Sequence, residues 1–157
     1  MIAFDTTFLT LMLFPGAKHP IDNARQRIEF LISDIHGSGE AILVPTPAFC
    51  EVLVKSGNAR ADIIGVLTKS SKFLLAPFDT RCALELSLMM DAALTTRDKR
   101  GGAEGTWVKV KFHRQIIAIT KTFGGRAIYS EDEGLRKTAL SVSDIQIPEK
   151  DQGKFWT

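Results

Sequence analysis

Short, strongly apolar runs alternate along this chain with longer stretches whose apolar residues recur at helical spacing. Three of these runs cover residues 1–4, 41–44 and 73–76, and the fourth, 126–129, is a predicted strand that begins with Arg126. A continuous apolar run of this length suits a strand that is buried on both faces of a sheet. The alternation therefore predicts an α/β fold, with a central, mainly parallel sheet of four to five strands flanked by helices in three layers.

The boundaries of the helices are also readable. Thr46 is expected to cap a helix that has Pro47 at its first position, and Ser130 with Glu133 has the spacing of a capping box. Residues 142–147 alternate like a final edge strand. Residues 1–148 are expected to form a single domain, followed by a polar tail over 149–157. Helical spacing covers about 7–14, 20–35, 59–69, 79–95 and 108–123, and a glycine-rich mobile loop is predicted over 97–107.

Composition limits the class of protein more than its function. The chain has 157 residues, of which 45% are hydrophobic, and a net charge of only +2. That charge is too small to identify a nucleic-acid-binding protein without a local cluster. Cys50 and Cys82 lie among apolar neighbours, so both are expected to be buried free thiols. No apolar run approaches the length of a membrane span, and a cytoplasmic protein is expected.

Three acidic residues fall where a parallel sheet would bring them together. Asp5 ends the first apolar run, Glu51 lies about one turn into the helix after the second run, and Asp132 follows the last run. The carboxyl ends of parallel strands form the usual site in such sheets. Clustered carboxylates repel one another unless a cation lies between them, and Mg²⁺ and Mn²⁺ prefer oxygen ligands.

Each acid also has a structural interpretation. Asp5 can start a turn, and Asp132 can stabilise a helix N-terminus through the helix dipole. Glu51 shares a helical face with Ala48 and Val52, so its side chain is expected to point at protein rather than at bulk water. The residues alone leave these alternatives open.

Four segments of the chain, taken in order, resemble the motifs of PIN domains. Asp5-Thr6-Thr7 is similar to the opening motif, and residues 45–53 resemble the helix that carries an essential Glu. Residues 110–119 resemble the third motif, and residues 127–135 resemble the fourth, a strand followed by Thr/Ser-x-Asp. Each motif is weak alone, but their order, spacing and expected secondary structure agree along the whole chain.

The resemblance implies a VapC-like, metal-dependent endoribonuclease that serves as the toxin of a type II toxin–antitoxin pair. It implies that Asp5, Glu51 and Asp132 bind Mg²⁺ or Mn²⁺, and that Thr6 and Ser130 orient acids or water. The metal would activate a water molecule for attack on an RNA phosphodiester. A homodimer and a small antitoxin that covers the site are the partners that the resemblance implies.

One position departs from the family pattern, because His113 stands where the third motif has Asp. His113 is counted among the candidate catalytic residues because it could bind the metal directly as a neutral imidazole. Such a ligand would favour Mn²⁺ or another transition ion over Mg²⁺. It could leave the site one negative charge short, or be an introduced change in a toxic enzyme. It could also be a packed, hydrogen-bonded core histidine. The alternative function is a catalytically impaired PIN module that binds RNA or an antitoxin without efficient cleavage.

A basic cluster surrounds the predicted mobile loop and the start of the third-motif helix. Arg100, Lys109, Lys111 and Arg114 are the candidate RNA-binding residues, and Trp107 could stack on a base. A solvated surface would look the same. Other phosphoryl-transfer folds fit poorly, since the chain lacks the Asp-x-Asp of haloacid-dehalogenase-type phosphatases and the acids that precede the phospho-acceptor of receiver domains. It also lacks the GxGxxG of Rossmann dehydrogenases.

Overall fold

A four-stranded, fully parallel sheet forms the centre of the protein. The structure is a computed structural model, and it describes residues 1–19, 23–100, 102 and 105–147. The strands are β1 (Ile2–Phe4), β2 (Ile42–Pro45), β3 (Phe73–Ala76) and β4 (Ala127–Tyr129). They lie in the order β3-β2-β1-β4, so the first strand in sequence is central.

Helices connect the strands and flank the sheet, as the alternation of the sequence predicts. A short 3-10 turn over Gly57–Ala59 separates the third helix from the fourth. No helix in the described ranges is both long and apolar enough to cross a membrane. The helices are α1 (Thr6–Leu13), α2 (Ala24–Gly37), α3 (Thr46–Lys55), α4 (Arg60–Lys69), α5 (Thr80–Thr95), α6 (Trp107–Thr122) and α7 (Glu133–Val142).

Burial explains why the apolar runs are strands. Every residue of β1, β2 and β4 is buried, whereas β3 lies at the edge and leaves Leu74 38% exposed. Ile2 pairs with Ile42 on one side and with Ala127 on the other, which fixes the register of the three buried strands. The predicted α/β class and parallel sheet are confirmed.

The register brings the ends of β1 and β4 together. Phe4 pairs with Tyr129, and the next residue, Asp5, donates its backbone N–H to the carbonyl of Tyr129. The side chains that follow the two strands, on Asp5 and Ser130, therefore meet at the carboxyl edge of the sheet. This edge is the usual place for a site in a parallel α/β fold.

The predicted final strand over 142–147 is wrong. α7 continues to Val142, and the backbone of Ser143 still donates to the carbonyl of Ala139. Of residues 142–147, only Gln146 joins the sheet, through an isolated parallel bridge to Ala127. The alternating pattern reflects one bridging residue beside β4 rather than a fifth strand.

Both predicted helix caps are also wrong by one or two residues. Pro45 occupies the cap of α3, so Thr46 is already helical and makes no capping hydrogen bond. Asp132, not Ser130, caps α7, because its carboxylate accepts hydrogen bonds from the first-turn backbone. The Ser130 hydroxyl donates to Asp5 and accepts the backbone N–H of Asp132 at 2.9 Å, one residue before the helix begins.

Other predictions have mixed outcomes. Cys82 is buried as expected, but Cys50 is exposed on α3. Part of the predicted 97–107 loop, at 101, 103 and 104, lies outside the described residues, as do the first residues, 20–22, of the predicted second helix. The predicted tail over 149–157 lies outside them entirely.

Candidate active site

One cavity of about 460 Å³ opens at the carboxyl edge of the sheet. The four side chains proposed from the sequence as catalytic, Asp5, Glu51, His113 and Asp132, all line it, although they lie far apart in the chain. The cavity is lined by Asp5, Thr6, Thr7, Glu51, Lys55, Thr106, Val108, Lys109, Phe112, His113, Ile116, Asp132 and Leu135.

Asp5 is held by several donors at the start of α1. Its Oδ1 accepts hydrogen bonds from the Thr7 hydroxyl at 2.6 Å and from the Phe8 backbone N–H at 3.0 Å. Its Oδ2 accepts the hydroxyl proton of Ser130. The carboxylate is therefore both the N-cap of α1 and the link between α1 and the residue after β4.

Burial dominates the electrostatics of Asp5, whose residue is only 3% exposed. Loss of solvation raises the pKa of the Asp5 carboxyl to about 6, even though the hydrogen bonds from Ser130, Thr7 and the backbone act in the opposite direction. Without a neighbouring cation, this carboxyl is thus easier to protonate than an ordinary aspartate.

Glu51 enters the cavity from α3 and is coupled to α1. The Thr6 hydroxyl donates to its Oε2 at 2.6 Å. The expectation that Glu51 points away from solvent is wrong, because the residue is exposed while its helical neighbours Ala48 and Val52 are fully buried. The side chain lies at the mouth of the cavity, where it can meet a solvated ligand.

Asp132 has both carboxylate oxygens engaged. Oδ1 accepts from the backbone N–H groups of Gly134 at 2.8 Å and Leu135 at 3.1 Å, while Oδ2 pairs with Lys109 Nζ at 2.8 Å. Burial alone would raise the pKa of the Asp132 carboxyl, but the bonds from Lys109 and Leu135 outweigh it and lower the pKa. Asp132 is therefore an anion at neutral pH.

His113 is a buried imidazole at the wall of the cavity. It is 4% exposed, and its Nε2 lies 3.6 Å from Oδ1 of Asp132, which is beyond hydrogen-bond distance. Its Nδ1 is buried without a hydrogen-bond partner among the described residues. Burial lowers the pKa of His113 against the opposing effect of Asp132, so the ring is neutral at pH 7. His113 is thus not the hydrogen-bonded core histidine considered above.

The candidate RNA-binding residues do not form one surface. Lys109 lines the cavity. Arg100 and Lys111, which lie close to Lys109 in the sequence, are exposed. Arg114, however, is fully buried, on the same face of α6 as Val110 and Ile117. Within the described part of the chain its guanidinium has no hydrogen-bond partner. The assignment of Arg114 to an RNA-binding surface is wrong, since helical periodicity turns it into the core.

The guanidinium of Arg114 lies beside an aromatic ring. Its Cζ lies 5.6 Å from the centre of the Trp107 ring, and Nζ of Lys99 and Nζ of Lys111 lie 5.3 Å and 5.8 Å from the same ring. Three cations therefore surround one indole at the start of α6.

The donor chemistry of the cavity suits a hard divalent cation, since Asp5, Glu51 and Asp132 supply carboxylate oxygens. In the described ranges, no group of three or more His, Cys, Asp and Glu side chains is already arranged to hold a metal ion. Lys109 occupies one oxygen of Asp132. A cation that used all three acids would have to replace that ammonium group.

Sequence reasoning gave no role to Thr7 or Gly134, and it assigned Lys109 to RNA binding without its contact to Asp132. Thr7 donates to Asp5 and also accepts from the backbone N–H of Glu131 at 3.0 Å. Gly134 lets α7 approach His113, because a Cβ there would lie 3.0 Å from the ring carbon Cε1. Lys109 pairs with Asp132. Its spacing of four residues from His113 on one helix was the available signal for placing it in the cavity.

Two solved structures share this fold at low sequence identity. A chain in the crystal structure of VapBC2 from Rickettsia felis, bound to a DNA fragment from their promoter, aligns with a TM-score of 0.60 and 7% identity, covering 94% of this chain and 98% of that chain. A chain in the structure of FitAB bound to an IR36 DNA fragment aligns with a TM-score of 0.56 and 14% identity, covering 96% and 99%. No family model and no curated protein matches the sequence significantly. The likeness establishes architecture, and the chain has the PIN-like α/β fold of these structures.

Proposed function

We propose that this protein is a divalent-metal-dependent endoribonuclease, as its four motifs imply. The observation that carries the proposal is the convergence of Asp5, Glu51, His113 and Asp132 on one cavity at the carboxyl edge of a PIN-like sheet. Those residues were selected by motif. Glu51 lies on α3 and His113 on α6, whereas Asp5 and Asp132 are the N-caps of α1 and α7. Such convergence favours a site over four separate structural roles.

Some of these residues would bind a metal, and others hold the metal-binding side chains in position. Asp5, Glu51 and Asp132 are the proposed ligands of Mg²⁺ or Mn²⁺. The chemistry that a bound divalent ion supplies is a water of lowered pKa and neutralisation of charge on the phosphate. Thr6 fixes Glu51, and Ser130 fixes Asp5, through the hydrogen bonds described above.

Substrate binding is proposed to use the exposed cations beside the cavity. Arg100 and Lys111 are exposed, with the Arg100 guanidinium donating to the carbonyl of Gly105 and Lys111 Nζ near the Trp107 ring, and Lys109 lies at the cavity itself. In the proposed reaction a water oxygen attacks the phosphorus of an RNA phosphodiester, and the P–O bond to the leaving ribose oxygen breaks. The chain supplies the anionic ligands and the phosphate contacts. It also supplies apolar side chains in the cavity wall, including Phe112 and Ile116.

The proposed cellular role is that of a cytoplasmic toxin held inactive by a small antitoxin. The motif resemblance is to VapC-like proteins, and one structure with the same fold is a VapBC2 complex. A homodimer is also proposed, because Phe30 on α2 and Val54 on α3 are 63% and 74% exposed. Light scattering of the purified chain and of its Phe30→Ser variant would test the dimer.

A second function is supported by a specific observation. The cavity contains His113 in place of an acid, and Lys109 already neutralises Asp132. Both features reduce the negative charge that would attract a cation. They favour a PIN module that binds RNA or an antitoxin but cleaves inefficiently.

Cleavage of a labelled single-stranded RNA by the unaltered chain and by His113→Asp separates the two proposals. An active nuclease cuts in Mg²⁺ or Mn²⁺ and stops in EDTA, with or without the substitution. An impaired module cuts only after His113→Asp, while the unaltered chain still retards the RNA in a binding assay. Equal cleavage by all samples in EDTA would contradict both.

A further inference from the structure

Lys109 is the cation most directly engaged with the acids of the cavity. It lies one helical turn before His113 on α6, on the face that lines the cavity. Its Nζ is 2.8 Å from Oδ2 of Asp132. The other oxygen of Asp132 is already used by the backbone of α7. An ammonium group thus occupies the side of Asp132 that remains for a cation.

We propose that Lys109 is a built-in counter-ion that competes with the divalent cation for Asp132. The proposal rests on the metal-binding part of the proposed function and adds a residue that sets the affinity. In the absence of metal, Lys109 neutralises Asp132. If Asp5, Glu51 and Asp132 held a divalent ion, the ammonium group of Lys109 would leave Oδ2 of Asp132, and its charge would be available to a phosphate of the substrate.

The exposure of the two partners makes such an exchange feasible. The side chain of Lys109 is 51% exposed and that of Asp132 is 23% exposed, so the pair lies at the rim of the cavity rather than in the core. Ion pairs at exposed positions are weak and open readily, because water solvates the separated charges. Lys109 therefore lowers the affinity of the site for a metal without blocking it.

The cavity offers a matched comparison. Lys55, at the end of α3, lines the same cavity, but within the described residues it forms no ion pair with an acid. Lys55→Met and Lys109→Met remove the same charge from the same cavity. A difference between the two variants isolates the direct contact of Lys109 with Asp132 from the general effect of charge.

The test is the affinity of the full chain for Mn²⁺ alone, without RNA, measured by calorimetry at neutral pH and checked by the electron paramagnetic resonance signal of free Mn²⁺. We expect Lys109→Met to bind Mn²⁺ about fivefold more tightly than the unaltered chain, and Lys55→Met to change the affinity by less than about twofold. Circular dichroism would confirm that both variants are folded.

Several results would overturn the inference. Equal Mn²⁺ affinity of Lys109→Met and the unaltered chain would show that the ion pair does not compete. Absence of Mn²⁺ binding in both proteins would show that Lys109 is not what limits metal binding. An equal gain in Lys55→Met would assign the effect to net charge alone.

Failure of the inference and failure of the proposed function give different results. Unchanged Mn²⁺ affinity in Lys109→Met together with metal-dependent RNA cleavage rejects the competition and retains the nuclease. Tighter Mn²⁺ binding by Lys109→Met without cleavage by any variant retains the competition and rejects the nuclease.

Discussion

Ser130 donates its hydroxyl to Asp5, although the two residues are 125 positions apart in the chain. The contact exists because β1 and β4 pair in parallel and end side by side. It holds a buried carboxylate at the edge of the sheet, where burial raises the pKa of Asp5 to about 6. Because the buried carboxylate has lost its solvation by water, Asp5 stabilises the folded protein less than its hydrogen bonds alone would suggest.

Substitution of Asp5 by Asn should make the metal-free protein more stable at neutral pH. Because the folded pKa of about 6 exceeds the ordinary value of 3.8, the stability contributed by the protonated Asp5 carboxyl is fully present below pH 3.8 and is lost as pH rises through 6. At about 1.4 kcal/mol per pKa unit, the full loss is about 3 kcal/mol above pH 6. Asp5→Asn removes this pH dependence. Urea unfolding in EDTA between pH 4 and 8 measures the effect.

The same titration contains its control. Near pH 4 the two proteins should differ little, since the folded Asp5 is then protonated. Parallel pH profiles for Asp5→Asn and the unaltered chain would contradict the assigned pKa.

Substitution of His113 by Asp should lower the stability of the metal-free protein and make it depend on metal. A carboxylate at this buried position would lie beside Asp132, and like charges in a cavity repel. Thermal unfolding should shift down by several degrees in EDTA and recover with Mn²⁺. His113→Asn provides the uncharged control. A melting temperature of His113→Asp that is insensitive to Mn²⁺ would count against a cation site.

Substitution of Gly134 by Ala should destabilise the fold by about 1–3 kcal/mol, which is typical of overpacking. The added Cβ would lie 3.0 Å from both the Asp132 carboxylate and His113 Cε1. Gly65 on α4 has nothing within 4 Å of such a Cβ. Gly65→Ala should therefore stabilise the protein by about 0.5–1 kcal/mol through helix propensity. Chemical denaturation of both variants checks the contrast, and effects of the same sign would refute it.

Substitution of Arg114 by Met should leave RNA binding intact and raise stability by about 1 kcal/mol, because it removes a buried cation that has no hydrogen-bond partner among the described residues. Arg100→Met is the matched comparison, since Arg100 is exposed. It should weaken RNA binding and change stability by no more than about 0.5 kcal/mol. Filter binding and thermal unfolding distinguish the two. Weaker RNA binding by Arg114→Met than by Arg100→Met would restore Arg114 to the RNA-binding surface.

The strands of the fold were predictable because a strand that is buried on both faces of a sheet consists of consecutive apolar residues. The fully buried β2 and the central β1 are continuous apolar runs, and both are strands. The predicted strand over 142–147 failed because alternation over six residues does not show whether a helix has ended. α7 extends to Val142, and Gln146 alone reaches the sheet.

The sequence predicted which side chains converge at the site, but it did not predict their exposure or their contacts. Motif spacing brought Asp5 and Asp132 to one cavity. The exposure of Glu51 and the burial of Arg114 depend on the rotation of α3 and α6 against their neighbours. Sequence spacing gives the periodicity of a helix but not its rotation. The ion pair between Lys109 and Asp132 joins two elements and has no local signature.

The most direct test of the nuclease assignment is cleavage of a labelled single-stranded RNA by the unaltered chain beside Asp5→Asn, each with Mn²⁺ and with EDTA. The assignment predicts products from the unaltered chain in Mn²⁺, none in EDTA, and none from Asp5→Asn although that variant remains folded. Cleavage by Asp5→Asn at the rate of the unaltered chain, or cleavage that persists in EDTA, would contradict it.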